Sequence, residues 1–186
     1  MPLSQPLSQR KPALRYVEDF LDHDIAGELF EGCMMADWQT ESFKIFGRTT
    51  PAPRRLAWFG DGGLNYRYTG IDHIADGWPD FLASVRRDIE RLAGESFNFV
   101  LLNRYDDGRH YMGWHRDNEA GCTGRIASLS LGGQRKFRID VDDKISEISL
   151  GHGSLLVFNG EHRHMLSKTA GNVATRINLT FRQLLV

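Results

Sequence analysis

Cysteine is scarce in this 186-residue chain: Cys33 and Cys122 are its only two. So few thiols exclude a disulfide framework and fit a reducing interior. Long apolar runs are missing as well. No segment approaches the roughly 20 consecutive apolar residues that a membrane helix needs. The opening "MPLSQPLSQRKP" lacks the apolar stretch of a secretory leader, so residues 1–12 are expected to form a flexible polar tail. An excess of one charge is also lacking, because 23 Lys and Arg face 24 Asp and Glu for a net charge of −1. Nothing global draws this chain to nucleic acid, and such a partner would need a local basic patch. What remains is ordinary for a globular protein: 41% hydrophobic and 25% charged residues, in a length that suits one domain with a real core.

Periodicity divides the chain. "DHDIAGELFEGCMMAD" places Ile25, Leu29 and Cys33 on one face of a helix. "GWPDFLASVRRDIERLAG" predicts a second helix, with Pro79 in its first turn, a stripe of Trp78, Leu82, Val85, Ile89 and Leu92, and Gly94 to end it. Both stripes read as core packing. The stretch between them is rich in turn residues, arginine and aromatics, and its "GDGG" marks a tight turn or hairpin. From Phe97 onward "FNFVLLNRY", "RIASLSLG", "RKFRID", "SEISL", "GSLLVFNG" and "TRINLTFRQLLV" read as short strands, which favours a barrel or jelly roll. The expected plan is one domain over 13–186, with helices and loops to about residue 95 and a β core from about 96.

The polar residues worth weighing lie in that β half. In "YMGWHRDNEAG", His115 and Asp117 share a face if the segment is extended, as two ligands of one metal would. A third ligand would come from "NGEHRHML", where His162 and His164 are both candidates and spacing does not separate them. Two histidines and a carboxylate make the facial triad that holds non-haem Fe(II) with coordination positions left open. In "RINLTFR", Arg176, Asn178, Thr180 and Arg182 share one face, and Ile177, Leu179 and Phe181 the other. Guanidinium forks on that polar face match carboxylates, although a solvated outer face is the plainer reading of either strand alone. "NRY" adds Asn103 and Tyr105 as uncharged donors. His23 and His73 read as surface residues, His110 as a loop residue, His152 as a turn residue and Cys122 as a small packed side chain.

"NFVLLNRYDDGRHYMGWHRDNE", "HGSLLVFNGEHRHMLSK" and "RINLTFRQ" together resemble the AlkB family of Fe(II)/2-oxoglutarate dioxygenases, most closely its DNA-repair branch. The likeness runs from about Phe43 to the C-terminus. It implies a double-stranded β-helix core with N-terminal helices and a nucleotide-recognition lid. It also implies Fe(II) and 2-oxoglutarate, with O2, and oxidative removal of N-alkyl groups from nucleobases. By the resemblance His115, Asp117 and His164 bind iron. Asn103, Tyr105, Arg176 and Arg182 hold 2-oxoglutarate, with Asn178 and Thr180 supporting them.

"IFGRTTPAPRRLAWFGDGGLNYRYTG" resembles the family's lid. Phe46, flanked by Gly47 and Arg48, matches the aromatic finger that fills the gap left by a flipped base. Tyr66 and Tyr68, on either side of Arg67, match aromatics that line the base pocket, where stacking is worth roughly 1–3 kcal/mol per base. Arg48, Arg54 and Arg55 supply the local basic patch, with plain solvation the other reading of the last two. Two departures bear on substrate choice. Asn118 and Glu119 follow Asp117 where two acidic residues are common, and "MLSKTAGNVATR" keeps Lys168 but no basic cluster. The expected partner is alkylated DNA, single- or double-stranded, with RNA possible, for a monomer inside the cell. The competing readings are a 2-oxoglutarate oxygenase acting on RNA, protein or lipid, and a non-catalytic nucleic-acid-binding module.

Overall fold

A computed structural model of the chain describes residues 13–45, 48–68, 71–119 and 121–185, with the backbone alone at 43–45, 48–50, 68 and 123. The first half contributes β1 (Leu14–Val17), α1 (His23–Met34), β2 (Ser42–Ile45), β3 (Arg48–Pro51), β4 (Arg55–Gly60), β5 (Asn65–Tyr68), β6 (Ile71–Ile74) and α2 (Asp80–Ala93). Strands follow: β7 (Phe99–Tyr105), β8 (Met112–His115), β9 (Cys122–Gly132), β10 (Arg135–Val141), β11 (Lys144–Leu150), β12 (Leu155–Asn159), β13 (His164–Leu166) and β14 (Arg176–Leu184). The fold is mainly β and its pairings are antiparallel. Six strands run in the order β1-β12-β9-β14-β7-β4, and four in the order β11-β10-β13-β8. The pairs β2–β3 and β5–β6 stand as separate hairpins. Among the described residues no helix is long and apolar enough to cross a membrane.

Strand alternation sorts the larger sheet into two faces. Val100 and Leu102 of β7, Ala127 and Leu129 of β9 and Ile177, Leu179 and Phe181 of β14 pack with Leu29 and Cys33 of α1 and with Leu82, Val85 and Ile89 of α2. Each of the Val, Leu, Ile and Phe side chains among these, fully buried, stabilises the fold by roughly 1.5–3 kcal/mol. The opposite face of β14 and β7 looks toward the four-stranded sheet across a cavity lined from both sides. So the polar face of "RINLTFR" is interior, and the apolar face lies under the helices.

Both helices form where the periodicity predicts them. In α1 the buried set is Ala26, Leu29 and Cys33, while Ile25 is exposed. A three-then-four spacing keeps to a 3.6-residue repeat better than two steps of four, so the small Ala26 faces the sheet. Helix α2 starts after Pro79 and ends at Gly94, whose φ of 66° lets its N–H reach the Glu90 carbonyl. The "GDGG" segment is a tight turn, with the Leu64 N–H donating to the Asp61 carbonyl, but β4 and β5 do not pair across it. His73 departs from its expected surface position, since it is wholly buried.

Candidate metal centre

The pairing of β13 with β8 sets His164 directly opposite His115. Asp117 follows two residues after β8 ends. Its N–H donates to the Gly160 carbonyl, and a Cβ at Gly160 would collide with the Asp117 carbonyl. Glycine in "NGEH" thus permits the approach that brings this carboxylate beneath the two rings. Nε2 of His115 lies 3.7 Å from one Asp117 oxygen, and Nε2 of His164 lies 3.6 Å from the other. The three ligand atoms fall within 4.8 Å of one another, and these are the residues that can share a metal among those described.

The other nitrogen of each ring is already engaged. Nδ1–H of His115 donates to the Gly113 carbonyl at 2.7 Å, and Nδ1–H of His164 to the His162 carbonyl at 2.8 Å. A carbonyl accepts but cannot donate, so each ring carries an N–H on Nδ1 and turns Nε2 inward. Metal-bound histidines are oriented in this way. Burial, with the neighbouring His164 adding to it, pushes His115 down to about 4, keeping it neutral near pH 7. Burial alone would raise Asp117, but Arg182 above all, with a contact from His164, outweighs it and holds the carboxyl well below its usual range. The donor set is thus ready for a cation. His162, the other candidate, lies in a separate surface depression with Asp140, Glu161 and Arg163, and serves the site through its backbone.

The two arginines of β14 both leave buried donors, Nε and Nη1, without a hydrogen-bond partner among the described residues, but they face different groups. Arg182 sets Nη2 3.0 Å from Asp117, leaves Nη1 3.7 Å from Glu119, and rests 5.1 Å above the Tyr66 ring. Arg176 is 2% exposed, and neither its Nε nor its Nη1 has a hydrogen-bond partner among the described residues. Burial lowers it, to about 10, so it stays cationic near neutral pH. A buried guanidinium with orphaned donors, lining the same cavity as the His–Asp–His group, has the chemistry of a carboxylate site. Tyr105 and Asn103 stand opposite Arg176 and Asn178 in the β7–β14 register and line that cavity too. Asn178 donates to Ser128 Oγ and to the Leu129 carbonyl, and receives the Thr180 hydroxyl, so these two brace the wall.

Two arginines near the site are buried, one of them Arg54 from the expected phosphate-facing patch. Arg54 is buried and donates from Nε to Asn103 Oδ1 at 2.8 Å, which leaves the Asn103 amide N–H groups to serve the cavity. Arg55, by contrast, pairs with Asp106 at 3.0 Å and stays half-exposed. Arg135 is buried, and its guanidinium gathers the carbonyls of Asp107, His110 and Ser167 with the Thr169 hydroxyl. It ties together the loops that follow β7 and β13. Neither arginine carries a local signal of burial, because each partner is remote in sequence.

The expected substrate residues are more dispersed. Tyr66 is buried in a cluster with Leu56, Phe99 and Leu101, so it meets the site through Arg182. Arg67 is exposed and pairs with Asp72 across β5–β6 at 3.0 Å. Asn118 donates to Glu161 at 3.2 Å, whereas Glu119 turns toward Arg182. Phe46 and Gly47 lie outside the described residues, as do the side chains of Arg48 and Tyr68.

A family model for the 2OG-Fe(II) oxygenase superfamily matches residues 13–182. Among curated proteins, human DNA oxidative demethylase ALKBH2 is 35% identical over 77% of this chain and 61% of its own length. The human alpha-ketoglutarate-dependent dioxygenase alkB homolog 3 is 31% identical over 81% of this chain and 58% of its own. The chain therefore spans less than two thirds of either relative. Among solved structures, OsALKBH1 superposes with a TM-score of 0.64 at 20% identity, covering 94% of this chain and 99% of that one, a likeness of fold.

Proposed function

The chain belongs to the 2OG-Fe(II) oxygenase superfamily, and from that premise we propose that it removes alkyl groups oxidatively from N-alkylated nucleobases in DNA. The reaction would consume O2 and 2-oxoglutarate and release formaldehyde, succinate and CO2. The observation that carries the oxygenase reading is Arg176, a buried cation with unmet donors in the same cavity as three convergent metal ligands. The DNA reading draws support from the relatives named DNA oxidative demethylase. Residues 13–186 would act as one double-stranded β-helix domain, with residues 1–12 as a tail and the β2–β3 and β5–β6 hairpins as its lid.

His115, Asp117 and His164 would hold Fe(II), which supplies the means of activating O2 beside the bound cosubstrate. The chain's own work is placement. The Gly113 and His162 carbonyls fix the two histidine tautomers. Arg182 keeps Asp117 ionised and turned toward both rings. Arg176, with Tyr105 and the Asn103 amide, would receive the carboxylate of 2-oxoglutarate remote from the metal. Asn178 and Thr180 keep that wall rigid, and Leu101, Met112 and Leu166 exclude water.

A base in a duplex reaches such a cavity only when flipped out. Phe46 would then fill the vacated stack, offsetting an unstacking cost of a few kcal/mol that a single strand largely escapes. Phe46→Ala is expected to lower the rate on a methylated duplex by about tenfold or more, with a much smaller loss on the same lesion in single-stranded DNA. Paired rate measurements check this; equal losses on both, with a lowered melting temperature, would mean that Phe46 only packs under the lid. A panel of N-methylated DNA, RNA and peptide substrates tests the substrate class, with DNA expected to be preferred.

A further inference from the structure

The two hairpins outside the main sheets meet at a buried polar contact that the proposed chemistry does not use. His73 of β6 is 0% exposed and Glu41, just before β2, is 7% exposed. His73 Nε2 lies 2.6 Å from Glu41 Oε1, and its Nδ1 lies 3.1 Å from the carbonyl of Tyr66, its cross-strand partner. A carboxylate and a carbonyl are both acceptors, so the ring satisfies both by donating from both nitrogens, as an imidazolium. Burial opposes that charge, but the acceptors on either side raise His73 above its ordinary range. Glu41 is itself anchored, since its carbonyl receives the Ala52 N–H and closes the base of β2–β3. Trp58 of β4 sets its ring edge-on to His73 at 4.6 Å and donates Nε1–H to the Ile74 carbonyl.

We propose that Glu41 and His73 are a positioning pair that locks the β2–β3 and β5–β6 hairpins together as one recognition unit beside the active site. The inference rests on the lid assignment above. A buried ion pair is a poor source of stability, because desolvation offsets much of its attraction, but it is satisfied in one arrangement only. A one-residue slip of β5 against β6 would turn His73 outward and break its contact with Glu41. The register of β5–β6, which the Arg67–Asp72 pair also holds, and the seat of β2–β3 thus share one buried contact. That contact also reaches inward as far as the backbone of Tyr66, whose ring underlies Arg182. The unit is therefore preordered relative to the metal site, which favours substrate capture without altering the chemical step.

The test uses Glu41→Gln and the apolar double replacement Glu41→Leu with His73→Phe, which removes both charges and keeps the volume filled. Amide hydrogen exchange is followed in peptides covering residues 41–52 and 64–76. Exchange is expected to accelerate by about tenfold in both hairpins together, while β7 and β14 keep their protection. In steady state, KM for an N-methylated oligonucleotide should rise by about tenfold, with kcat and KM for 2-oxoglutarate within about twofold of the unaltered protein. Acceleration confined to 64–76 would overturn the coupling. Equal losses in kcat and both KM values would reduce the pair to a general stabiliser. If the double variant does not fold, Glu41→Gln decides alone. If the unaltered protein turns over no oligonucleotide, the proposed function fails while hydrogen exchange still judges the pair.

Discussion

Replacing His115, Asp117 or His164 by alanine is expected to abolish turnover, whereas His162→Ala should keep most of it. The contrast is the point, because His162 and His164 are two residues apart and chemically identical. His164 opens β13 opposite His115 and directs Nε2 at Asp117. His162 contributes a carbonyl, which alanine retains. Asp117→Ala does more than remove a ligand. It strands Arg182 as a buried cation without its carboxylate, a defect worth roughly 3–5 kcal/mol. Asp117→Asn is the gentler companion, filling the space while lowering metal affinity. Metal content, melting temperature and turnover measured on each variant check the set. An inactive His162→Ala beside an active His164→Ala would reverse the ligand assignment.

Arg176→Ala is expected to raise the apparent KM for 2-oxoglutarate by between about thirtyfold and several thousandfold, matching the roughly 2–5 kcal/mol lost when one partner of a buried charge pair is removed. Iron binding should persist, because Arg176 contributes nothing to the His–Asp–His contacts. The variant should not unfold the protein, since two of the donors it removes are unmet before the cosubstrate arrives. Arg176→Lys should recover little, as an ammonium cannot reproduce the planar fork. Cosubstrate titration with separate metal analysis decides it. A KM near that of the unaltered protein would move the anion site elsewhere, with Arg54 the next group to examine.

Much of this site is legible in the sequence because it lies on regular alternation. The polar and apolar faces of "RINLTFR" are those of β14, and Asn103 and Tyr105 fall on one face of β7 as the spacing requires. Spacing could not say that the polar face of β14 is interior, which follows from helices covering the other face. Nor could it separate His164 from His162, which depends on the pairing of β13 with β8. Residues whose partners are far along the chain were least legible. Arg54 and Arg135 look like solvated turn and strand arginines, yet one holds Asn103 and the other gathers two loops. His73 is hidden by an inverted pattern, because its neighbours Ile71 and Ile74 are exposed while the histidine is buried against Glu41.

The central claim is that this cavity oxidises an N-alkyl group on a DNA base. Its most direct measurement is anaerobic reconstitution with Fe(II) and 2-oxoglutarate, followed by admission of O2 in the presence of an N-methylated oligonucleotide, single- or double-stranded. Formaldehyde and succinate are then quantified with the base that remains. The account predicts that both products form in equal amounts with the unmodified base, and that none forms without 2-oxoglutarate or with Asp117→Asn. Succinate without formaldehyde on every methylated oligonucleotide would contradict it, leaving an oxygenase whose substrate is not an N-alkylated base in DNA.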